Sequence, residues 1–194
     1  MIINEILTLP VNESSGYSLE GSFTHDLIKS KVWLLTELAR IAPEVGTIYV
    51  LGSWYGNLGV LLALDPVIRY KQLINVETNP EFLQTSERIH NRLGMGNTEY
   101  MLKDANDLDY RQLGRDGVVI NTSLTDMQGQ TWFDRIPAGT LVVLQSRNND
   151  PGNAAHSTQD IIDRYPLNKI IYDGELQSKD PETQYTRYMV IGVK

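Results

Sequence analysis

Thr47-Ile48-Tyr49-Val50-Leu51-Gly52-Ser53-Trp54-Tyr55-Gly56-Asn57-Leu58-Gly59 is the stretch on which the reading of the chain turns. Its first five residues are β-branched or apolar, the composition of a strand covered on both faces. Gly52 ends that run. Asn57–Leu64 then continues as an apolar helix, stopped by Asp65-Pro66. A strand, a glycine-rich turn and a helix in this order form the place where open α/β sheets hold ligands, at the carboxyl end of a strand.

Upstream, residues 1–22 are polar and turn-rich, with Pro10, Ser14, Ser15 and Gly16, and read as an extended arm. Thr24–Ala42 places Leu27, Ile28, Val32, Leu35, Leu38, Ala39 and Ile41 at helical spacing, with Thr24 as a candidate cap and Asp26 in the first turn. Pro43 and Gly46 end it. Downstream, the spacing predicts strands over Gln72–Val76, Glu99–Leu102, Gly117–Ile120 and Thr140–Leu144. It predicts helices over Pro80–Leu93, Asp107–Leu113, Gln128–Ile136 and Ser157–Arg164. Asn168–Tyr172 and Arg187–Val193 read as a last strand pair joined by a polar loop. Alternating strands and helices imply a doubly wound α/β fold. The sheet is expected to be seven-stranded and mostly parallel, with a C-terminal antiparallel pair, because no helix separates the last two strands. Residues 1–46 read as an arm and helix, a candidate lid, and 47–194 as one structural unit.

Composition narrows the function. The chain has 194 residues, enough for one domain with a core of its own. It has no cysteine, which excludes a disulfide, a cysteine-ligated zinc or iron–sulfur site and a thiolate nucleophile. His25, His90 and His156 are far apart, so no helical metal motif exists and no metal is expected. A net charge of −7 disfavours binding that runs on neutralising nucleic-acid phosphates, while leaving open a nucleic-acid substrate held at one local patch. No apolar stretch approaches the ~18 residues of a spanning helix, and no leader is legible, so a cytoplasmic protein without membrane contact is expected.

Two cofactors compete for the Gly-turn. A dinucleotide needs G-x-G-x-x-G, whose second glycine lets the backbone meet a pyrophosphate; that position is Trp54 here, which argues against NAD. S-adenosylmethionine carries no phosphate and needs only a turn past which its methionine part can run. A tight strand-to-helix connection holding no ligand is the plain alternative. Glu77, 25 positions after Gly52, closes the second strand, where a carboxylate can accept from ribose hydroxyls. Asp104, before Ala105, follows the third strand, where a carboxylate can accept from an adenine amino group. Each acid alone also reads as a solvated charge or a helix cap. Together, at the ends of successive strands, they outline an adenosine site.

In these features the chain resembles the class I S-adenosylmethionine-dependent methyltransferases, over roughly Ile48 to Lys194. Within them, Ile120-Asn121-Thr122-Ser123-Leu124-Thr125-Asp126-Met127, Trp132, Pro137, Gly139 and Leu144-Gln145-Ser146 look like small methyltransferase-like proteins of phages and marine metagenomes. The resemblance implies a Rossmann-like fold, S-adenosylmethionine as cofactor, and Gly52, Ser53, Trp54, Tyr55, Gly56, Glu77, Thr78, Asp104, Ala105 and Asn121 as cofactor positions. The chain departs from the family at Trp54, where a glycine is usual, and at Val50 and Leu51, where an acid often stands. Asp126 stands where the narrower group often has a histidine.

The acceptor is less legible. Cytosine C5 chemistry usually employs a cysteine. The Asn/Asp-Pro-Pro-aromatic motif of DNA amino-methyltransferases is missing from Asn121-Thr122-Ser123-Leu124. Asn121, Asp126 and His156 are the candidate catalytic residues. Against those roles stand turn hydrogen bonding for Asn121, capping of a helix near Gln128 for Asp126, and a helix-flanking surface site for His156. Gln145, Ser146, Arg147 and Asn148 follow the fifth strand and are candidates for the same mouth, with Arg147 able to hold an acidic substrate. His25 begins the candidate lid, His90 reads as structural or exposed, and Trp33 as core. Tyr17 and Phe23 are candidates to close over substrate or simply to pack. The expected activity is methyl transfer to an unidentified small molecule. The rival is an inactive methyltransferase-like module that acts through a partner.

Overall fold

The computed structural model describes residues 18–149, 152–179 and 183–194. Tyr17 and most of the N-terminal arm lie outside the described residues. A short helix α1, Leu19–Ser22, precedes α2, His25–Ile41. Then follow β1 Glu44–Leu51, α3 Asn57–Leu64, β2 Arg69–Glu77, α4 Pro80–Arg92 and β3 Thr98–Leu102. A 3-10 turn spans Ala105–Asp107, and β4 runs over Val118–Asn121. The chain ends with α5 Thr131–Asp134, β5 Leu141–Arg147, α6 Thr158–Arg164, β6 Lys169–Lys179 and β7 Gln184–Val193.

The seven strands form one sheet in the order β3-β2-β1-β4-β5-β7-β6. The first five run parallel, and β7 enters antiparallel between β5 and β6. Side chains alternate across the sheet, so the central strands feed two cores. Tyr49, Leu51, Val119, Val142 and Leu144 face Trp132, Phe133, Ile161 and Tyr165. Ile48, Val50, Ile120 and Val143 face Leu34, Leu35 and Leu38 of α2 and Leu58 and Leu62 of α3. This is why Ile48–Leu51 of β1 and Val118–Ile120 of β4 are apolar without interruption. No helix among the described residues is long and apolar enough to cross a membrane.

The sequence expectations fail in four places. The predicted helix over Asp107–Leu113 is only the 3-10 turn at Ala105–Asp107. Leu108, Tyr110 and Leu113 are not helically spaced, and each buries separately in the core. The predicted helix over Gln128–Ile136 shrinks to one turn at Thr131–Asp134, because Gly129 has φ +75° just before it. The polar loop before the last strand is largely strand: β6 and β7 pair from Lys169↔Val193 to Lys179↔Gln184. β6 is the sheet edge, where one face is solvated and polar residues are at home. Finally, Thr24 precedes α2 without a side-chain capping bond.

Candidate active site

The loop from Gly52 to Gly56 is held in an unusual shape. Gly52, Trp54 and Gly56 have φ of +61°, +52° and +75°. Positive φ is routine for glycine and uncommon for tryptophan. Trp54 is kept there from both ends. Its N–H donates to Glu77 Oε2 at 2.9 Å, and its ring packs on Tyr55 and Phe82. The conformation turns the backbone so that the loop leans on the end of β2, where the Ser53 N–H also bonds the Val76 carbonyl.

Gly56 and Gly59 serve a different need. A Cβ at Gly56 would lie 2.2 Å from Ser86 Oγ and 2.6 Å from His90 Cε1; one at Gly59 would lie 2.6 Å from His90 Nε2. His90 of α4 is fully buried, with Nε2 on the Gly56 carbonyl and Nδ1 on the Tyr100 hydroxyl. Burial pushes its pKa down, which favours the neutral ring in this packing role. The last two glycines therefore let α3 and α4 close on each other.

A cavity of about 640 Å³ opens above the carboxyl ends of the strands. Gly52, Ser53, Trp54, Glu77, Thr78, Asp104, Ala105 and Asp126 line it. Tyr55, Gly56, Asn121 and His156 do not. The Tyr55 ring is buried against Phe82 and Leu19. The Asn121 side chain accepts from the Ser123 N–H at 2.9 Å and donates to Met127 Sδ, shaping the turn after β4. His156 is exposed at the start of α6, its N–H on Asp160. Asp126 does not cap a helix, since α5 starts at Thr131 after Gln130; it is an exposed residue of the cavity rim. Phe23 packs beside Leu19 and Tyr55. The Trp33 indole donates to the Tyr172 hydroxyl at 3.0 Å.

The two strand-end acids already have internal work. Glu77 Oε1 accepts from the N–H groups of Thr78 and Asn79 and from the Thr78 hydroxyl, and Oε2 from Trp54. A carboxylate has about four acceptor positions. Oε2 thus keeps one place for a ligand hydroxyl. Asp104 Oδ1 accepts from the Asn106 N–H and side-chain amide, which makes Asp104 the cap of the 3-10 turn and leaves Oδ2 for a ligand. Asn106 also bonds the Gln128 carbonyl and the Trp132 N–H, tying this loop to the one that carries Asp126.

The opposite end of the cavity holds residues that sequence reading passed over. Leu27 and Lys31 of α2, Asn57 of α3, and Arg187 of β7 join Thr122, Ser146 and Arg147 in the wall. Gln145 lies beneath α2, its amide donating to the Ser30 carbonyl, and Asn148 pairs with Thr186 away from the cavity. Lys31 Nζ donates to Thr122 Oγ1 at 2.6 Å. Burial, with Arg187 nearby, pushes its pKa down to about 7. The available signal was a cation on the apolar stripe of α2, four residues from both Leu27 and Leu35.

No family model and no curated protein matches the sequence. Solved structures do match the fold. EvdMO1 is 15% identical at a TM-score of 0.62, covering 98% of this chain and 45% of its own. The fold is the Rossmann-like methyltransferase fold. The N-terminal domain of EvdMO1, solved with SAH bound, matches at 0.60 with 16% identity, covering 97% of this chain and 93% of that domain. The N-methyltransferase NodS from Bradyrhizobium japonicum WM9 matches at 0.62 with 16% identity, covering 86% of this chain and 96% of its own. An rRNA methylase from Streptococcus thermophilus matches at 0.55 with 17% identity, covering 89% and 99%. This chain spans about half the length of EvdMO1, and also of Trm5b from Pyrococcus abyssi, of which it covers 50%. Within the methyltransferase fold, the cavity sits at the strand ends where β1 and β4 diverge in chain order, the expected place for a ligand.

Proposed function

We propose that this chain is a methyltransferase that uses S-adenosylmethionine and acts on a small molecule. The observation that carries the reading is the single cavity shared by the Gly52–Trp54 backbone, Glu77 and Asp104. The residues present fit the cofactor. Ser53 Oγ and Asn57 Oδ1 are buried in the cavity wall without partners, as if awaiting a polar ligand at the methionine end. Glu77 Oε2 is suited to a ribose hydroxyl, and Asp104 Oδ2 with the Ala105 N–H to the adenine edge. The bound cofactor would supply an electrophilic methyl group. The chain's own contribution is alignment of donor and acceptor, which needs no loud catalytic residue. Asp126 at the rim is the candidate for taking a proton from an acceptor that must lose one. The helix α2 covers the acceptor end and serves as its lid.

A small acceptor suits a cavity of this size, which lies in the range of ordinary ligand pockets, and suits the net charge of −7. The rRNA methylase among the structural matches makes RNA the rival acceptor. Kinship to the phage and metagenome proteins remains part of this reading, supported by Ile120–Met127, Trp132, Pro137, Gly139 and Leu144-Gln145-Ser146. Titration calorimetry with S-adenosylmethionine, S-adenosylhomocysteine and NAD tests the cofactor. Micromolar binding of the first two and none of NAD is expected. Binding of none of them would replace the enzyme with a partner-binding module built on this fold.

A further inference from the structure

We propose that the end of the cavity formed by Lys31, Arg147 and Arg187 is an oxyanion site, which seats the carboxylate or phosphate of the small-molecule methyl acceptor. The acceptor role rests on the methyl-transfer reading above; the oxyanion site does not.

Three observations converge. First, the cations come from three separate elements, α2, β5 and β7, and meet in one cavity wall. Second, Arg147 and Arg187 are direct partners across the antiparallel β5·β7 ladder. Side chains so paired point to the same face, and like charges placed opposite each other destabilise a sheet. An anion between them would turn that repulsion into a clamp. Third, Arg187 is only 4% exposed, yet its Nε has no hydrogen-bond partner, and buried Ser146 Oγ, in the wall of the same cavity, has none either. Buried polar atoms ordinarily are satisfied, so an orphaned guanidinium N–H in a cavity wall points to a missing acceptor.

The protein supplies little of that acceptor itself. Neither Lys31 nor Arg187 has an ion-pair partner within 4.0 Å among the described residues. Arg187 Nη2 donates to the Tyr185 hydroxyl at 3.1 Å, and its guanidinium lies over the Tyr185 ring. Asp26 is the carboxylate whose field reaches Arg187, but one of its oxygens already accepts the Lys179 N–H at 2.9 Å. Burial and the Arg147 charge both press Arg187 downward from its ordinary pKa. An oxyanion offsets each of these costs with charge-assisted, bidentate bonds. The enclosure beneath α2 suits a terminal group of a small molecule, which must enter end-on.

Titration calorimetry of the full chain at low ionic strength tests this, with inorganic phosphate and succinate as separate probes. S-adenosylhomocysteine is titrated into the same preparations. The wild type is expected to bind at least one anion. Arg187→Met should weaken that binding about tenfold or more, from the loss of charged hydrogen bonds. S-adenosylhomocysteine affinity should change little. Lys31→Met provides a second variant should Arg187→Met fold poorly, and Arg115→Met, at an exposed loop position, is the control. A preference for phosphate over succinate, or the reverse, identifies which acceptor group the site takes. Failure of both anions to bind, in a wild type that binds S-adenosylhomocysteine, overturns the oxyanion site alone. Equal anion binding by wild type, Arg187→Met and Lys31→Met overturns it too. Anion binding without S-adenosylhomocysteine binding supports the oxyanion site and overturns the methyl-transfer reading instead.

Discussion

At the end of the cavity made by β1, β2 and β3, the acids are anchored by the protein's own backbone. Glu77 receives the N–H groups of Trp54, Thr78 and Asn79, and Asp104 that of Asn106. At the end made by α2, β5 and β7 the pattern reverses. Lys31 has a hydroxyl for its partner, Arg187 keeps an unsatisfied N–H, and two arginines face each other across a ladder. The first end is built to hold its shape whether or not a ligand is present. The second is electrostatically incomplete, and its shape is set by core packing around it. One cavity thus combines a self-supporting half with a half that calls for an anion.

The sharpest way to break this contrast is at the self-supporting half. Gly56→Ala should lower stability by about 3 kcal/mol, since the new methyl meets Ser86 and His90 in a left-handed backbone. Gly94→Ala shares the positive φ but points into open space, and should cost only about 1 kcal/mol. Urea unfolding of the pair separates collision from strain; equal losses would show that the α3–α4 contact is not tight. Glu77→Ala removes the acceptor of three backbone N–H groups as well as the proposed ribose contact. It should weaken S-adenosylhomocysteine binding about tenfold, and also cost about 1–2 kcal/mol of stability. Unchanged affinity in a folded Glu77→Ala protein would move the cofactor elsewhere.

At the incomplete half, the effects are smaller and of opposite sign. Lys31 has a pKa pushed down to about 7 by burial and then by Arg187, against 10.5 when unfolded. Between those values the unfolded chain binds the extra proton, so its release favours the native state as pH rises. The burial penalty is fully present below about pH 7 and is relieved from there toward pH 10. Unfolding measured from pH 6 to 9.5 should show this rise in wild type and a flatter curve in Lys31→Met. Parallel curves would place Lys31 in contact with water. Arg147→Met should raise stability by about 0.5 kcal/mol in anion-free buffer, through relief of the cross-strand repulsion with Arg187. A loss of stability there would mean that Arg147 is held by contacts that outweigh the repulsion.

The same division separates what could be read early from what could not. The strand at Thr47–Leu51, the helix at Asn57–Leu64 and the acid closing β2 all follow from neighbours in sequence: an apolar run, a glycine, a proline. The Gly-turn is a local device, and Asp104 declares itself by following a strand. Helices over Asp107–Leu113 and Gln128–Ile136 could not be judged this way. Their apolar residues are held one by one in the core, and Asn106 braces the second segment from outside. Tyr55 illustrates the limit within the turn itself. It lies between two glycines of the motif, yet the positive φ of Trp54 and Gly56 accompanies a ring turned into the cluster with Phe82 and Leu19.

By itself, then, the sequence determined a doubly wound sheet with a terminal antiparallel pair, and a glycine-rich turn after its first strand. Those features depend on periodicity and on backbone freedom, which are properties of short segments. Only the tertiary structure decided that Lys31, Arg147 and Arg187 share a wall, that Asn121 and His156 stand off it, and that His90 is a buried strut. Those outcomes depend on strand order, above all on β7 slipping between β5 and β6. Charges lying 40 residues or more apart in the chain acquire a common environment only when the sheet is assembled around them.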